Sequence, residues 1–236
     1  SINEAFVHAG IANDCKVKLQ WVDSEQFETN VSPADVLKEF DGVVVGPGFG
    51  TRGIEGKIKA VQYARENKVP YFGICLGMQM AVIELARNGL GLKKAHSTEI
   101  DPQTPDPVIS LLSEQKGIKD LGGTMRLGAY RCDVKPGTKT HAAYGEDVIS
   151  ERHRHRYEFN NAYLEALTEK AGLIVSGSHP KGDHDLVEII ELKDHPWFCA
   201  SQFHPEFKST PMRPQPLFRA YVGAALEYRK KVGRPC

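Results

Sequence analysis

A short apolar segment near residue 70 places the strongest constraint on how this chain can fold. Val69 to Ile74 has the composition of a buried strand, and a helix-forming segment, Met78 to Asn88, follows almost at once. Gly73 and Gly77 flank Cys75 and leave room for a sharp turn, because neither carries a Cβ atom. The pattern predicts a nucleophile elbow, a tight strand-to-helix turn that lifts the Cys75 sulfur clear of the sheet.

Strand and helix patterns alternate before that turn. The predicted elements are a strand at Lys16 to Trp21, a helix at Pro33 to Phe40, a strand at Gly42 to Val45 and a helix at Ile54 to Asn67. Such alternation predicts an α/β fold with a doubly wound, mostly parallel sheet flanked by helices. Ligands bind such sheets at the carboxyl ends of the strands, where residues 46–53 and Cys75 are expected to meet.

The remaining segments complete this picture. Four later strands and three helices are predicted: strands at Arg126 to Asp133, Leu173 to Ser176, Val187 to Leu192 and Trp197 to Gln202, and helices at Ser1 to Gly10, Tyr163 to Ala171 and Leu217 to Lys231. Asp101 to Gly123 contains three prolines and is predicted to be loop with one short helix or strand.

Composition excludes several classes of protein. The chain has 236 residues, 41% hydrophobic and 25% charged, which suits one globular domain spanning residues 1–236. Thirty basic residues balance thirty acidic ones, so neither nucleic acid nor a membrane is an expected partner. Five scattered cysteines without a CxxC pair argue against a disulfide framework and favour the cytoplasm. The helix-like start without methionine predicts a piece excised from a longer polypeptide.

A second chemical motif, Gln202-Phe-His-Pro-Glu206, lies far downstream of the cysteine. If this segment continues a strand, alternation places His204 and Glu206 on one face, where the carboxylate can orient the imidazole toward Cys75. Taken singly, the three residues are equally compatible with an inert buried thiol, a core or loop histidine and a surface carboxylate. Their joint occurrence in one α/β domain favours a Cys-His-Glu triad.

The glycine-rich segment Gly48-Phe-Gly-Thr-Arg-Gly53 allows two interpretations. It matches the dinucleotide-binding pattern between a strand and a helix, but that fingerprint needs an acidic residue about 20 positions later, where Gly73 to Cys75 stand instead. Gly56-Lys57 likewise lacks the residues of a P-loop. The favoured interpretation is a second wall of the cysteine pocket, whose backbone amide helps to form an oxyanion hole.

The segment Arg152-His-Arg-His-Arg-Tyr-Glu158 is rich in cations and histidines. His153 and His155 would share a face if it is a strand, which allows a metal site. No further ligand cluster stands at suitable spacing, and alternating arginines suit anionic groups better. A solvated basic edge and a site for an anionic substrate group or partner surface both remain open.

Two of these motifs, Gly73-Ile-Cys-Leu-Gly-Met-Gln79 and Phe203-His-Pro-Glu206, resemble those of the class I glutamine amidotransferases, a family with a flavodoxin-like fold. Within that family, further stretches are similar to the glutaminase domains of the CTP synthases. These stretches are residues 48–53, 97–99, 122–128, 151–157 and 209–211, so the resemblance runs along essentially the whole chain.

The resemblance implies a role for each matching residue. Cys75 would be the nucleophile, His204 the base and Glu206 the group that orients it. The other implied residues line the oxyanion and substrate site: Gly48, Phe49, Leu76, Gln79, Glu99, Arg156 and Tyr157. Gln79, Glu99 and Arg156 among them would bind the amino acid head group of glutamine. One departure is the order Gly46-Pro47-Gly48, since Pro47 has no N–H to donate.

The resemblance also implies partners. L-Glutamine would be the substrate, and the ammonia would serve an amidoligase (synthetase) domain that is absent from this chain. ATP and magnesium are expected only in that domain, so neither a cofactor nor a metal is expected here; the full enzyme would form a homo-oligomer, a tetramer. Two alternatives stay open: a cysteine hydrolase acting on γ-glutamyl or peptide amides, and a non-catalytic regulatory module.

Overall fold

The computed structural model describes residues 1–111 and 125–235. Its helices are α1 (Ile2–Ala12), α2 (Pro33–Leu37), α3 (Ile54–Glu66), α4 (Leu76–Gly89), α5 (Lys139–Tyr144), α6 (Leu164–Lys170) and α7 (Pro216–Lys231). Its strands are β1 (Val43–Val45), β2 (Tyr71–Ile74), β3 (His96–Ser97), β4 (Pro107–Ser110), β5 (Arg126–Val134), β6 (Val148–His155), β7 (Glu158–Phe159), β8 (Leu173–Lys181), β9 (His184–Leu192) and β10 (Phe198–Ser201).

The main sheet of the described residues has seven strands in the order β1-β2-β10-β9-β8-β5-β6. Strands β1, β2 and β10 run parallel to one another, whereas β9, β8, β5 and β6 pair antiparallel with their neighbours. A smaller sheet has the order β3-β4-β7. The α/β class and the flanking helices are confirmed, but the sheet is mixed rather than mostly parallel.

A tight turn explains the antiparallel pairing of β8 with β9. Lys181 pairs with His184, so only Gly182 and Asp183 connect β8 to β9, and Gly182 has a φ of 56°. A two-residue connection can join only antiparallel neighbours, because a parallel partner needs a crossover of a dozen or more residues. The predicted strand boundaries missed this turn, since they ended β8 at Ser176 and began β9 at Val187.

Helices cover both faces of the sheet, as a doubly wound fold requires. On one face α1 packs against α7, where the Phe6 ring lies 4.9 Å from the Phe218 ring in an edge-on contact. On the other face α3 packs against α4, and the core there includes Tyr71 stacked on Phe198 with ring centroids 4.5 Å apart. Among the described residues, every helix is too short or too polar to cross a membrane.

The predicted strand at Lys16 to Trp21 is wrong. This segment forms no strand, and Leu19 and Trp21 are exposed. Alternation of residue types indicates only how side chains would point, whereas a strand requires a neighbouring chain to accept and donate its hydrogen bonds. β1 is the last strand at that side of the sheet in the described residues, and residues 16–21 do not pair with it.

The other predicted elements are confirmed with shifted ends. The structure adds α5 and the short strands β3 and β7. Residues 148–155 form strand β6, which is the condition under which His153 and His155 were predicted to share a face. Within Asp101 to Gly123, where one short element was predicted, the described part of the segment contains β4. Residues 112–124, including the Gly122 to Thr124 part of one family motif, lie outside the described residues.

The turn between β2 and α4 is the most constrained backbone in the fold. Cys75 adopts φ 55° and ψ −102°, a conformation that L-residues rarely adopt and that costs on the order of 1–3 kcal/mol. Its N–H donates to the carbonyl oxygen of Ser201 at 2.7 Å, which attaches the turn to β10. A Cβ atom at Gly77 would overlap the carbonyl oxygen of Val45, so α4 begins directly against the end of β1.

Gly77→Ala should therefore destabilise the protein, with a loss of about 1–3 kcal/mol in the free energy of unfolding. Urea denaturation followed by circular dichroism measures this loss. Gly46→Ala is the matched control, since a Cβ atom there would lie 3.7 Å from Ile2 and should change stability by less than about 0.5 kcal/mol. Equal stabilities for the two variants would contradict the close approach of α4 to β1.

Candidate active site

Cys75 lies at the first residue before α4 and is buried. Burial raises the pKa of its thiol to about 12, while a hydrogen bond from the backbone N–H of Leu76 acts in the opposite direction. The carboxylates of Glu206, Glu99 and Glu158 raise this pKa further. The Leu76 N–H at the start of α4 thus favours the ionised sulfur, but the thiol needs additional stabilisation before it can ionise.

His204 and Glu206 form a close pair behind the end of β10. The Nδ1 atom of His204 lies 2.9 Å from Oε1 of Glu206, and both side chains are buried. Because a carboxylate only accepts hydrogen bonds, Nδ1 carries the proton and Nε2 is left as an acceptor. Nε2 has no hydrogen-bond partner among the described residues.

His204 and Glu206 are brought together by a helical turn and not by the predicted continuation of a strand. β10 ends at Ser201, and a 3-10 helix, Pro205–Lys208, begins directly after His204. Pro205 lacks an N–H and has a fixed φ that suits the first position of a helix, so the chain turns there instead of continuing as a strand. The N–H of His204 donates to the carbonyl oxygen of Arg152 at 2.8 Å, which holds the turn against β6.

The glycine-rich loop after β1 lies beside the start of α4. A Cβ atom on Gly48 would be 3.0 Å from the Leu76 side chain, and the N–H of Gly50 donates to Oε1 of Glu99 at 3.4 Å. The loop is therefore close to the elbow, as predicted for a second wall. The side chain of Phe49, in contrast, is exposed to solvent, since this residue is 90% exposed.

The dinucleotide interpretation of the same loop is not favoured by its surroundings. A pyrophosphate would need the free N–H groups at the start of α3. Oε1 of Glu28 already accepts the N–H of Gly56 at 3.2 Å, and a Cβ on Gly53 would meet the Ser24 side chain. The carboxylate of Glu28 would repel a phosphate at that position.

Glu99 and Arg156, both predicted to bind substrate, influence the hydroxyl of Tyr157, a third predicted substrate residue. Burial raises the pKa of the Tyr157 hydroxyl, the carboxylate of Glu99 raises it further, and the Arg156 guanidinium lowers it. A carboxylate and a guanidinium that are 57 positions apart in sequence therefore both lie near enough to the Tyr157 hydroxyl to shift its pKa. Both charges are half-buried, so the site offers one anionic and one cationic group to a ligand.

Gln79 is buried one turn into α4, and its carboxamide contacts protein groups. Its Nε2 donates to the carbonyl oxygen of Tyr157 at 3.3 Å and to Oε1 of Gln202 at 3.4 Å. Gln202, in turn, directs its own Nε2 to the Cys75 sulfur at 3.8 Å. No role for Gln202 was predicted from the sequence, although its position before Phe203 at the end of a predicted apolar strand suits a buried polar residue.

Behind His204 lies a buried polar cluster made of Arg126, His153, His155, Glu158 and Glu188. Arg126 donates to Glu188 at 2.7 Å and to Glu158 at 3.2 Å. Nδ1 of His153 lies 2.9 Å from Nε2 of His155, and Nδ1 of His155 lies 3.2 Å from the Tyr157 carbonyl oxygen. This cluster was not predictable from the sequence, because its members come from four different strands.

The cluster includes the metal site considered from sequence. One ligand atom each from His153, His155 and Glu188 lies within 4.8 Å of the others. These residues are already engaged: the two imidazoles contact each other, and the Arg126 guanidinium supplies a cation to Glu188. The geometry therefore describes a hydrogen-bonded network better than a set of free metal ligands.

Burial dominates the titration of this cluster. It lowers the pKa of His153 to about 2 and of His155 to about 3, and the Arg126 cation acts in the same direction. It raises the pKa of Glu158 to about 7 and of Glu188 to about 8, against the attraction of Arg126. Both histidines are thus neutral at pH 7, and the two carboxylates compete for one guanidinium.

Residues 1–224 match the family described as Glutamine amidotransferase class-I. The chain belongs to the class I glutamine amidotransferases. The CTP synthases of Carboxydothermus hydrogenoformans and Geobacter metallireducens are 61% and 58% identical to this amidotransferase chain, and each match covers 98% of it. The chain spans only 42% of the length of those two relatives.

A solved structure gives the same relationship. The amidotransferase fold described above superposes on the glutaminase domain of Trypanosoma brucei CTPS with bound acivicin, with a TM-score of 0.88 and 38% identity. That match covers 96% of this chain and 87% of the other. The predicted resemblance to the glutaminase domains of CTP synthases is confirmed.

The buried carboxylates should give this amidotransferase a measurable loss of stability as the pH rises. A carboxyl with a raised folded pKa contributes fully below its unfolded pKa of about 4 and loses that contribution up to about pH 8. We expect the free energy of unfolding to fall more steeply over this range in the wild type than in Glu188→Gln. The difference should be at most about 1.4 kcal/mol per pH unit for each proton released.

Urea denaturation at a series of pH values measures both slopes. The histidine pair has the opposite sign, since its lowered pKa values remove stability as the pH falls below about 6.5, but both proteins share this contribution. Glu227→Gln, at a carboxylate 74% exposed, is the control and should leave the wild-type slope unchanged. Parallel curves for wild type and Glu188→Gln would show that Glu188 does not titrate in the folded protein.

Proposed function

We propose that this chain hydrolyses L-glutamine to glutamate and ammonia through a thioester on Cys75. The observation that carries the proposal is the elbow itself: Cys75 is attached through its N–H to Ser201, three residues before a histidine whose Nε2 is left free to accept a proton. Similarity to glutaminase domains over essentially the whole chain supports the choice of substrate.

The first chemical step is attack of the Cys75 sulfur on the side-chain carboxamide of glutamine. His204 takes the thiol proton on Nε2, and Glu206 stabilises the resulting imidazolium through Nδ1. Burial alone would keep the thiol protonated, since its pKa is raised to about 12. Transfer to His204 solves this problem, because it creates a thiolate-imidazolium pair in which each charge stabilises the other.

The tetrahedral intermediate carries a negative oxygen that needs donors. The Leu76 N–H at the start of α4 is one, and the N–H of Gly48 in the adjacent loop is the other that we propose; Pro47 has none. His204 then gives its proton to the departing ammonia. The same histidine activates a water molecule that releases glutamate from Cys75. Losing one oxyanion donor should raise the barrier by about 3–4 kcal/mol.

Recognition of the amino acid head group follows from the charges around Tyr157. The half-buried carboxylate of Glu99 suits the α-ammonium group, and the Arg156 guanidinium suits the α-carboxylate. Gln79 and Tyr157 complete this side of the pocket. The exposed Phe49 is a less direct contact, and its substrate-binding role stays a prediction.

We further propose that residues 1–236 act as a single glutaminase domain whose ammonia aminates UTP to CTP, driven by ATP, on an amidoligase domain of the full-length enzyme. The match to 42% of the length of CTP synthases supports a second domain beside this one. ATP and magnesium belong to that domain in this proposal. The tetramer expected from the resemblance and the cytoplasmic location expected from the scattered cysteines stay predictions.

Active-site labelling tests the nucleophile and the substrate together. A glutamine analogue that carries an electrophile in place of the carboxamide should modify Cys75 selectively, and excess glutamine should suppress the modification. Intact-mass and peptide-mass analysis detects this directly, with Cys75→Ala as the control. Slow labelling of all cysteines, indifferent to glutamine, would contradict the proposal, as would suppression by a γ-glutamyl peptide but not by glutamine.

Glu206→Gln should separate the orienting role from nucleophilicity. An amide can present its NH₂ group to Nδ1 and so favour the wrong tautomer, which leaves Nε2 unable to take the thiol proton. We expect kcat for glutamine hydrolysis to fall by about 10²- to 10⁴-fold with little change in KM. An ammonia-release assay measures both constants. Glu227→Gln should behave as wild type, and full activity in Glu206→Gln would exclude Glu206 from the triad.

A further inference from the structure

We propose that Gln202 is a further catalytic residue of this site, and that its carboxamide donates a hydrogen bond to the Cys75 sulfur when that sulfur is a thiolate. The inference rests on the proposed function, since it gives Cys75 the role of nucleophile. Gln202 contacts the reacting atom itself, with Nε2 3.8 Å from the sulfur, a long hydrogen bond to a large and weak acceptor.

The orientation of the Gln202 carboxamide is determined by its neighbours. Nε2 of Gln79 faces two oxygen atoms, the carbonyl of Tyr157 and Oε1 of Gln202. A backbone carbonyl can only accept, so the NH₂ group of Gln79 must lie on this side of its own carboxamide. Gln202 must then present its oxygen to Gln79, and its NH₂ group is left facing Cys75.

The backbone holds Gln202 in that place. The residue is fully buried, and its N–H donates to the carbonyl oxygen of Glu188 in β9 at 2.8 Å. The preceding residue, Ser201, accepts the Cys75 N–H at 2.7 Å. Successive residues at the end of β10 therefore contact the backbone and the side chain of the same cysteine, which fixes the donor relative to the sulfur.

The charges around Cys75 create a need for such a donor. Three carboxylates, those of Glu206, Glu99 and Glu158, disfavour a thiolate at this position, and so does burial. The Leu76 N–H opposes them, but the same N–H is also required by the oxyanion in the proposed mechanism. Of the other two triad residues, only His204 can supply a positive charge to the thiolate. A neutral amide donor stabilises a thiolate without adding a charge that would titrate.

The same hydrogen bonds connect the nucleophile to the proposed head-group pocket. The Tyr157 carbonyl oxygen accepts from Gln79 and also lies 3.2 Å from Nδ1 of His155, so both its lone pairs are used. Three consecutive hydrogen bonds run from Tyr157 through Gln79 and Gln202 to Cys75. A movement of the Arg156–Tyr157 segment would thus alter the hydrogen bond to the Cys75 sulfur through Gln79 and Gln202.

The test is the pH dependence of Cys75 alkylation by iodoacetamide in the full chain, followed at peptide resolution without glutamine. Gln202→Met keeps the length of the side chain and removes the donor, so the apparent thiol pKa should rise by about one unit. Alkylation at a fixed pH below that pKa should then be about tenfold slower. Gln202→Glu should be slower still, because a carboxylate would repel the thiolate. Gln20→Met, at an exposed glutamine, is the control and should match wild type.

An unchanged alkylation profile in folded Gln202→Met would overturn the proposal, even if the variant were less stable, because a purely structural role would lower only the denaturation midpoint. If Gln202→Met does not fold, Gln79→Leu serves instead, because it frees the Gln202 carboxamide to rotate. This variant should raise the thiol pKa of Cys75 by a smaller amount. An unchanged thiol pKa in Gln79→Leu would overturn the proposal. Failure of the proposed function is distinguishable, since glutamine would then not protect Cys75 in the wild type.

Discussion

The hydrogen bond between the Cys75 N–H and the Ser201 carbonyl oxygen holds the two halves of the site together. It continues the parallel pairing of β2 with β10 by one residue, beyond Ile74 and Ser201. The cysteine leaves β2 on one side of this bond, and the chain to His204 leaves β10 on the other. Residues 129 positions apart in sequence are therefore placed by the edge of one short ladder, and the strain at Cys75 is tolerated because that ladder over-determines its backbone.

Features encoded by neighbouring residues were predictable from the sequence, whereas features that depend on distant partners were not. The elbow was predictable because Gly73, Cys75 and Gly77 carry its requirements within five residues. The contact of His204 with Glu206 was predicted for the wrong reason, since Pro205 makes a helical turn rather than a strand. Lys16 to Trp21 has the alternation of a strand but no partner, and a partner is a property of the whole fold. Gln202 was not recognised from the sequence because the orientation of its carboxamide depends on the hydrogen bond that it accepts from Gln79.

The site combines features that each reduce stability. A strained cysteine, a buried thiol and a group of buried carboxylates would be poor choices for a core built only to hold a chain together. Arg126 limits this cost by contacting both Glu158 and Glu188, and the neutral imidazoles of His153 and His155 hydrogen-bond to each other instead of adding positive charge. The buried polar residues of β5, β6, β7 and β9 thus form a hydrogen-bonded network in which one guanidinium is the cation.

β6 has a consequence for how this chain can vary in length. Buried and exposed residues alternate without interruption from Val148 to His155, with Arg152 and Arg154 outside and Glu151, His153 and His155 inside. Adding or removing one residue within the strand would turn the guanidinium groups inward and the imidazoles outward, and it would move the Arg152 carbonyl away from the His204 N–H. Single-residue insertions and deletions can therefore be accommodated only outside β6, for example at the Gly145 turn that precedes it, where a Cβ atom would meet open space.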